Sequence, residues 1–238
     1  MSPNISTVDS PRRFRRWKRW LLAGVLTVVV LAVAGPYVYI NFIEGPAPSR
    51  FSLSKQTTPK STARVALTGT WKIAGGSQAG YRIGEVLFGQ NNTAVGRTTA
   101  VTGQVVITAS TVNSAAITVD LTKVSSDSGQ RDNQFQGRIM DTSQFPTTTF
   151  TLTTPVRLGT LPAPGTTLTT TAAGMLNLRG TTRPVQAALS ARQTGSIIQV
   201  SGSIPITFAD WKIPNPTFGP AQTDDHGIVE FLLTFRRA

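Results

Sequence analysis

The chain has 238 residues, no cysteine and one histidine, with 23 Lys and Arg against 11 Asp and Glu, a net charge of +12. Without cysteine there is neither a disulfide framework nor a thiolate metal site, and the length suits one globular domain or two small ones. The charge does not argue for nucleic acid: Arg12, Arg13, Arg15, Arg16, Lys18 and Arg19 are crowded together, and no basic stripe interleaved with stacking aromatics occurs after residue 50.

Residues 1–20 read as a polar, then basic, cytoplasmic tail. Residues 21–43 carry no charge. At about 1.5 Å per residue this run spans a hydrocarbon layer of about 30 Å, with Trp17, Trp20, Tyr37 and Tyr39 as aromatic belts near its ends. A cleaved signal peptide is the rival reading. The apolar run exceeds the roughly 7–15 residues of a signal core, and its Ala32-Val33-Ala34 lies inside the run, so the expectation is an uncleaved anchor. The basic flank then keeps the tail in the cytoplasm and places residues 44–238 outside the membrane. Residues 44–68, rich in Pro, Lys, Thr and Ser, read as a linker.

From residue 69 to 238 the pattern has a period of two, the mark of half-buried strands. Ala79, Tyr81 and Ile83 share a face, as do Val101, Val105 and Ile107, then Ile117, Val119 and Leu121, then Phe150 and Leu152. The second half continues with Leu168, Leu176 and Leu178; Val185, Ala187 and Leu189; Ile198, Val200, Ile204, Ile206 and Phe208; and Val229, Phe231, Leu233 and Phe235. One stretch breaks the rule. In residues 125–150, Ser126, Asp127 and Ser128 can each cap a helix start, no β-branched run comes after them, and Phe135, Ile139 and Met140 fall on one helical face before Gln144-Phe145-Pro146 turns the chain extended. A short helix is therefore predicted to lie against a sheet like a lid or plug.

About eight strands with one short helix make an all-β antiparallel fold with one dry and one wet face. The pattern permits a sandwich or a barrel, the latter removing exposed edges. Gly103, Ala115, Ala172, Gly174, Ala187 and Gly202 are small residues in dry-face registers. They read either as bends needed for closure or as the lining of an internal tunnel.

Catalytic chemistry is thinly represented. His226 sits in Thr223-Asp224-Asp225-His226-Gly227, a polar turn, and no Gly-x-Ser-x-Gly elbow accompanies it; carboxylates are dispersed, without zinc-ligand spacing. The expectation is no enzyme, no metal and no cofactor. Arg131-Asp132 reads either as helix-end chemistry or as an arginine that holds an anionic head group. Phe208, Trp211 and Phe218, with Pro214, Pro216 and Pro220 between them, read either as cover for the core or as the rim of a tunnel.

These segments carry a family resemblance. An Arg-Asp pair, a short helix, an Asp, then Phe145-Pro146 and a Thr-rich strand resemble the central signature of the YceI-like family of bacterial lipid-binding proteins. Ser77, Ala79, Tyr81 and Ile83 after Trp71 resemble its Ser-x-Val-x-Phe-x-Val, and Gly174-Met175-Leu176-Asn177-Leu178-Arg179-Gly180-Thr181-Thr182-Arg183-Pro184-Val185 resembles its Gly-x-Leu-Thr-Ile-Lys/Arg-Gly-Val-Thr-Arg-Pro-Val. The departures are Ala79 for a larger apolar residue, Glu85 where His is common, and Thr207-Phe208-Ala209 for an Asn-Arg pair.

The resemblance implies a lipocalin-like up-and-down barrel that holds a long apolar lipid, an isoprenoid chain or similar, as an envelope carrier or sequestering protein. Its expected ligand-binding residues are Ala79, Tyr81, Ile83, Val105, Phe135, Phe150, Ala172, Gly174, Leu176, Ala187, Phe208, Trp211 and Phe231, with Arg131 as a head-group contact. The partners expected are lipid and membrane, not nucleic acid, and a homodimer is compatible. The alternative is a structural or stress-related envelope domain with a filled core and a protein partner.

Overall fold

The computed structural model describes residues 12–38, 47–53, 66–87, 89–159, 165–217, 219 and 221–238. It divides into two compact units, residues 1–46 and 47–238. In the first, α1 (Arg12–Val38) is a 27-residue helix that leaves Leu22, Leu26 and Leu31 exposed. Among the described residues no helix is long and apolar enough to cross a membrane. The charge-free run of the sequence continues to Ile43, beyond the end of α1 and outside the described residues, as does Tyr39.

In the second unit, twelve strands among the described residues form one sheet in which every pairing is antiparallel. β1 (Gly69–Ile73) and β2 (Gln78–Leu87) are two halves of one bent strand. The bend is stitched by Ser77, whose hydroxyl donates to the Ala74 carbonyl and accepts from the Thr234 amide. β3 (Gln90–Thr98) returns along β2, and β4 (Val101–Thr108) returns along β1. β5 (Thr111–Asp120), β6 (Thr147–Leu152), β8 (Leu168–Leu178), β9 (Thr181–Thr194), β10 (Ile197–Thr207) and β12 (His226–Arg237) come next in spatial order. β12 pairs with both β2 and β1, so the sheet closes into an eight-stranded barrel. β7 (Val156–Arg157) and β11 (Ala221–Thr223) are short additions on β5 and β2.

The break in alternation at residues 125–150 folds as α2 (Gly129–Gln134), continued by a π turn at Phe135–Ile139. Ser128 caps it by accepting from the Arg131 amide. Asp132 accepts from both the amide and the hydroxyl of Ser126, which holds the incoming chain at the positive end of the helix. Phe135 and Met140 are thereby buried at one end of the barrel. There they meet Leu121 and Val124 and a 3-10 turn at Phe208–Trp211.

Candidate functional site

Inward-facing residues divide the barrel into a packed end and a hollow one. At the packed end Phe135, Met140, Phe208, Trp211 and Ile213 join Leu178, Ile204 and Ile206 in a continuous core. The strand segment that resembles the family motif holds this end in place. The Leu176 carbonyl accepts from the Trp211 indole, the Arg179 guanidinium donates to the Lys212 carbonyl, and Arg183 Nε donates to the Asp210 carbonyl. Tyr81 stacks on Phe135 with ring centroids 5.0 Å apart, and burial pushes its hydroxyl far above its ordinary pKa, so it stays neutral.

Beyond this plug lies a cavity of about 230 Å³. Ala172 and Ala187 face each other across β8 and β9 and line it. Val105, Ile117, Val119, Leu168, Leu189 and Val200 line it too, and these large apolar side chains stay only half-buried although they point into the barrel. Their remaining exposure is to the hollow. Towards the far end the lining becomes mixed: Val156, Leu158, half-buried Gln193 and exposed Thr166 stand beside buried Ile107, Ile198 and Phe235, and the exposed Thr166 marks the accessible side, the mouth. The Gly165 amide donates to the Gln193 carbonyl there, so the loop entering β8 is tied to the end of β9.

Of the small residues in the dry-face registers, Ala115, Ala172 and Ala187 line the cavity. Gly174 and Gly202 do something else. A β-carbon on Gly174 would fall 2.3 Å from Cζ of Phe150, and one on Gly202 would fall 2.5 Å from Cζ of Phe231. Each glycine is a seat for an aromatic ring, and it is the rings that face the cavity. Gly103 serves closure: at φ +141° it lets β4 pass so close to β5 that a β-carbon would lie 2.2 Å from the Ala116 carbonyl oxygen.

The structure places the sequence-predicted site residues in two groups. Ala79, Val105, Phe150, Ala172, Leu176, Ala187 and Phe231 line the cavity. Tyr81, Ile83, Phe135, Phe208 and Trp211 belong to the packed end, and Gly174 lies behind the Phe150 ring. Arg131 is also at the packed end, where its guanidinium donates to Glu85 at 3.3 Å and pairs with Asp127, while Glu85 accepts from Asn92 at 2.9 Å. Phe218 and Pro220 lie outside the described residues. Alternation did not single out Leu67, Val112, Ala191 or Gln193, although the last two continue the inward register of Ala187 and Leu189.

His226 is exposed at the start of β12, its Nδ1 2.8 Å from a carboxylate oxygen of Asp225. That hydrogen bond raises the histidine's pKa and lowers the aspartate's. Both groups stand in water on the outside of the barrel, away from the cavity lining. Among the described residues no group of three or more His, Asp or Glu could hold a metal ion. What the interior can do is surround an apolar chain.

The chain is similar to solved structures to different degrees. A polyisoprenoid-binding domain from Saccharophagus degradans, implicated in plant cell wall breakdown, superposes with a TM-score of 0.58 at 17% identity, covering 72% of this chain and 99% of its own. BcnA of Burkholderia cenocepacia gives 0.48 at 19% identity over 65% of this chain and 95% of its own. The YceI protein of Campylobacter jejuni gives 0.39 at 15% over 57% and 82%. No curated protein matches the sequence. The family model of the YceI-like domain matches residues 71–235, from the buried Trp71 that opens the barrel to Phe235 in its last strand, and the chain belongs to the YceI-like family.

Proposed function

We propose that the barrel binds an apolar lipid chain, of the isoprenoid class, in its cavity and serves as a lipid carrier or sequestering protein of the cell envelope. The observation that supports this most is that Val105, Ile117, Val119, Leu168, Leu189 and Val200 line the cavity and stay only half-buried although they point into the barrel. Protein interiors normally fill such space. Left empty, a cavity of about 230 Å³ forfeits roughly 5 kcal/mol of stability at about 24 cal/mol per Å³. An apolar chain restores those contacts, and each methylene removed from water adds about 0.8 kcal/mol. The likeness in fold to a polyisoprenoid-binding domain supports the ligand class.

The proposal includes an anchor: the basic residues 12–19 stay on the cytoplasmic side, the charge-free residues 21–43 hold the chain in the membrane, and the barrel lies outside. The reading is one of binding, without a chemical step. Mass spectrometry of organic extracts of the purified protein tests it. A stoichiometric prenyl or other long-chain lipid is the expected result; protein free of lipid that also takes up no added prenol would favour a structural envelope domain instead.

A further inference from the structure

We infer that the rings of Phe150 and Phe231 are the stop that sets how much of a chain the cavity accepts. The inference rests on the binding proposed above and concerns the specificity of that same site. The two rings come from β6 and β12 and both line the cavity, while their other sides pack against the plug formed by Phe135, Phe208 and their neighbours. In the inward series of each strand one cavity-lining residue lies beyond the ring, Thr148 on β6 and Val229 on β12; the next on β12, Gly227, faces Ile83 and Phe208 of the plug. The hollow therefore ends about one residue past the rings.

The rings are held in place by their surroundings. Each occupies volume that a β-carbon at Gly174 or Gly202 would claim, so each is backed by bare main chain on a neighbouring strand. Side chains so enclosed keep to one rotamer. A chain that enters from the mouth meets two fixed aromatic faces. By comparison with a cavity of about 150 Å³ that holds one benzene ring, about 230 Å³ takes up roughly nine or ten carbons, close to two isoprene units. The rest of a longer chain stays at or beyond the mouth.

The test uses full-length protein, stripped of lipid and kept in a bulky sterol-type detergent, titrated with prenols of two, three, four and eight isoprene units. For the wild type, affinity is expected to rise up to two or three units and then level off. Phe150→Leu, Phe231→Leu and the double variant should move this break by at least one unit and raise affinity for the four-unit prenol at least tenfold relative to the two-unit prenol. The alanine variants should move it further; the leucine variants, closer to the ring in bulk, carry the test where alanine does not fold. A break that stays in place in folded leucine variants, or a wild-type affinity that keeps rising to eight units, overturns the stop. A wild type that binds none of the prenols overturns the binding reading itself.

Discussion

At the scale of single residues, the interior is governed by a difference between two kinds of small side chain. Ala172 and Ala187 leave space that belongs to the cavity, whereas Gly174 and Gly202 leave space already filled by Phe150 and Phe231. Added bulk should therefore have opposite effects at the two kinds of site. At Gly174 a side chain would strike both the ring and the Thr151 carbonyl. Ala172→Phe and Ala187→Phe place a ring where ligand would run. Their thermal or urea unfolding, measured without lipid, should differ from the wild type by less than about 1 kcal/mol, compared with about 1–3 kcal/mol for overpacking a filled core. Prenol affinity should fall at least tenfold, about 1.4 kcal/mol. Two strongly destabilised variants would show that the space is packed in solution.

At the scale of elements, the linker has a docked portion. The Pro48 and Ser49 carbonyls accept from the guanidinium groups of Arg82 and Arg97, and Arg97 lies 3.9 Å from the centre of the Phe51 ring. Both arginines also hold Glu230, at 3.2 and 2.8 Å, whose side chain is only 4% exposed. A buried carboxylate that neutralises two arginines cannot be removed without leaving them opposed. Glu230→Gln is expected to cost roughly 3 kcal/mol, read as a lower urea midpoint at unchanged slope, and to open residues 47–53 to proteolysis; a cost near zero would mean that the triad is solvated.

None of this strap was legible in the sequence, where residues 44–68 show only turn-forming composition. Local signals did indicate the helix that interrupts the strands, because Ser128 and Asp132 act within a few residues of each other. Period-two alternation indicated which face of each strand turns inward, since that is a property of the single strand. It could not indicate depth along the barrel. Ala79, Tyr81 and Ile83 share a face on β2, yet the first lines the cavity and the other two pack into the plug. Nor could it indicate that a glycine on β8 is filled from β6, because that contact exists only after the sheet closes.

At the scale of the whole molecule, the anchor proposal makes a topological prediction. Protease added to intact spheroplasts should digest residues 47–238 while leaving residues 12–19 protected, and the mature protein should retain its N-terminal segment. Survival of the barrel until the membrane is lysed would reverse the orientation, and a mature N-terminus beyond residue 35 would replace the anchor with a leader. Within the barrel itself, the plug built by Phe135, Met140, Phe208 and Trp211 closes one end of the hollow. A vessel of this kind cannot work as a conduit. A prenol held as proposed would go in by one terminus and have to back out the same way before another could enter, so loading and unloading would alternate. Replacement of one bound prenol by another should proceed at a rate independent of the incoming prenol's concentration; a rate that climbs with that concentration would mean that the plug opens.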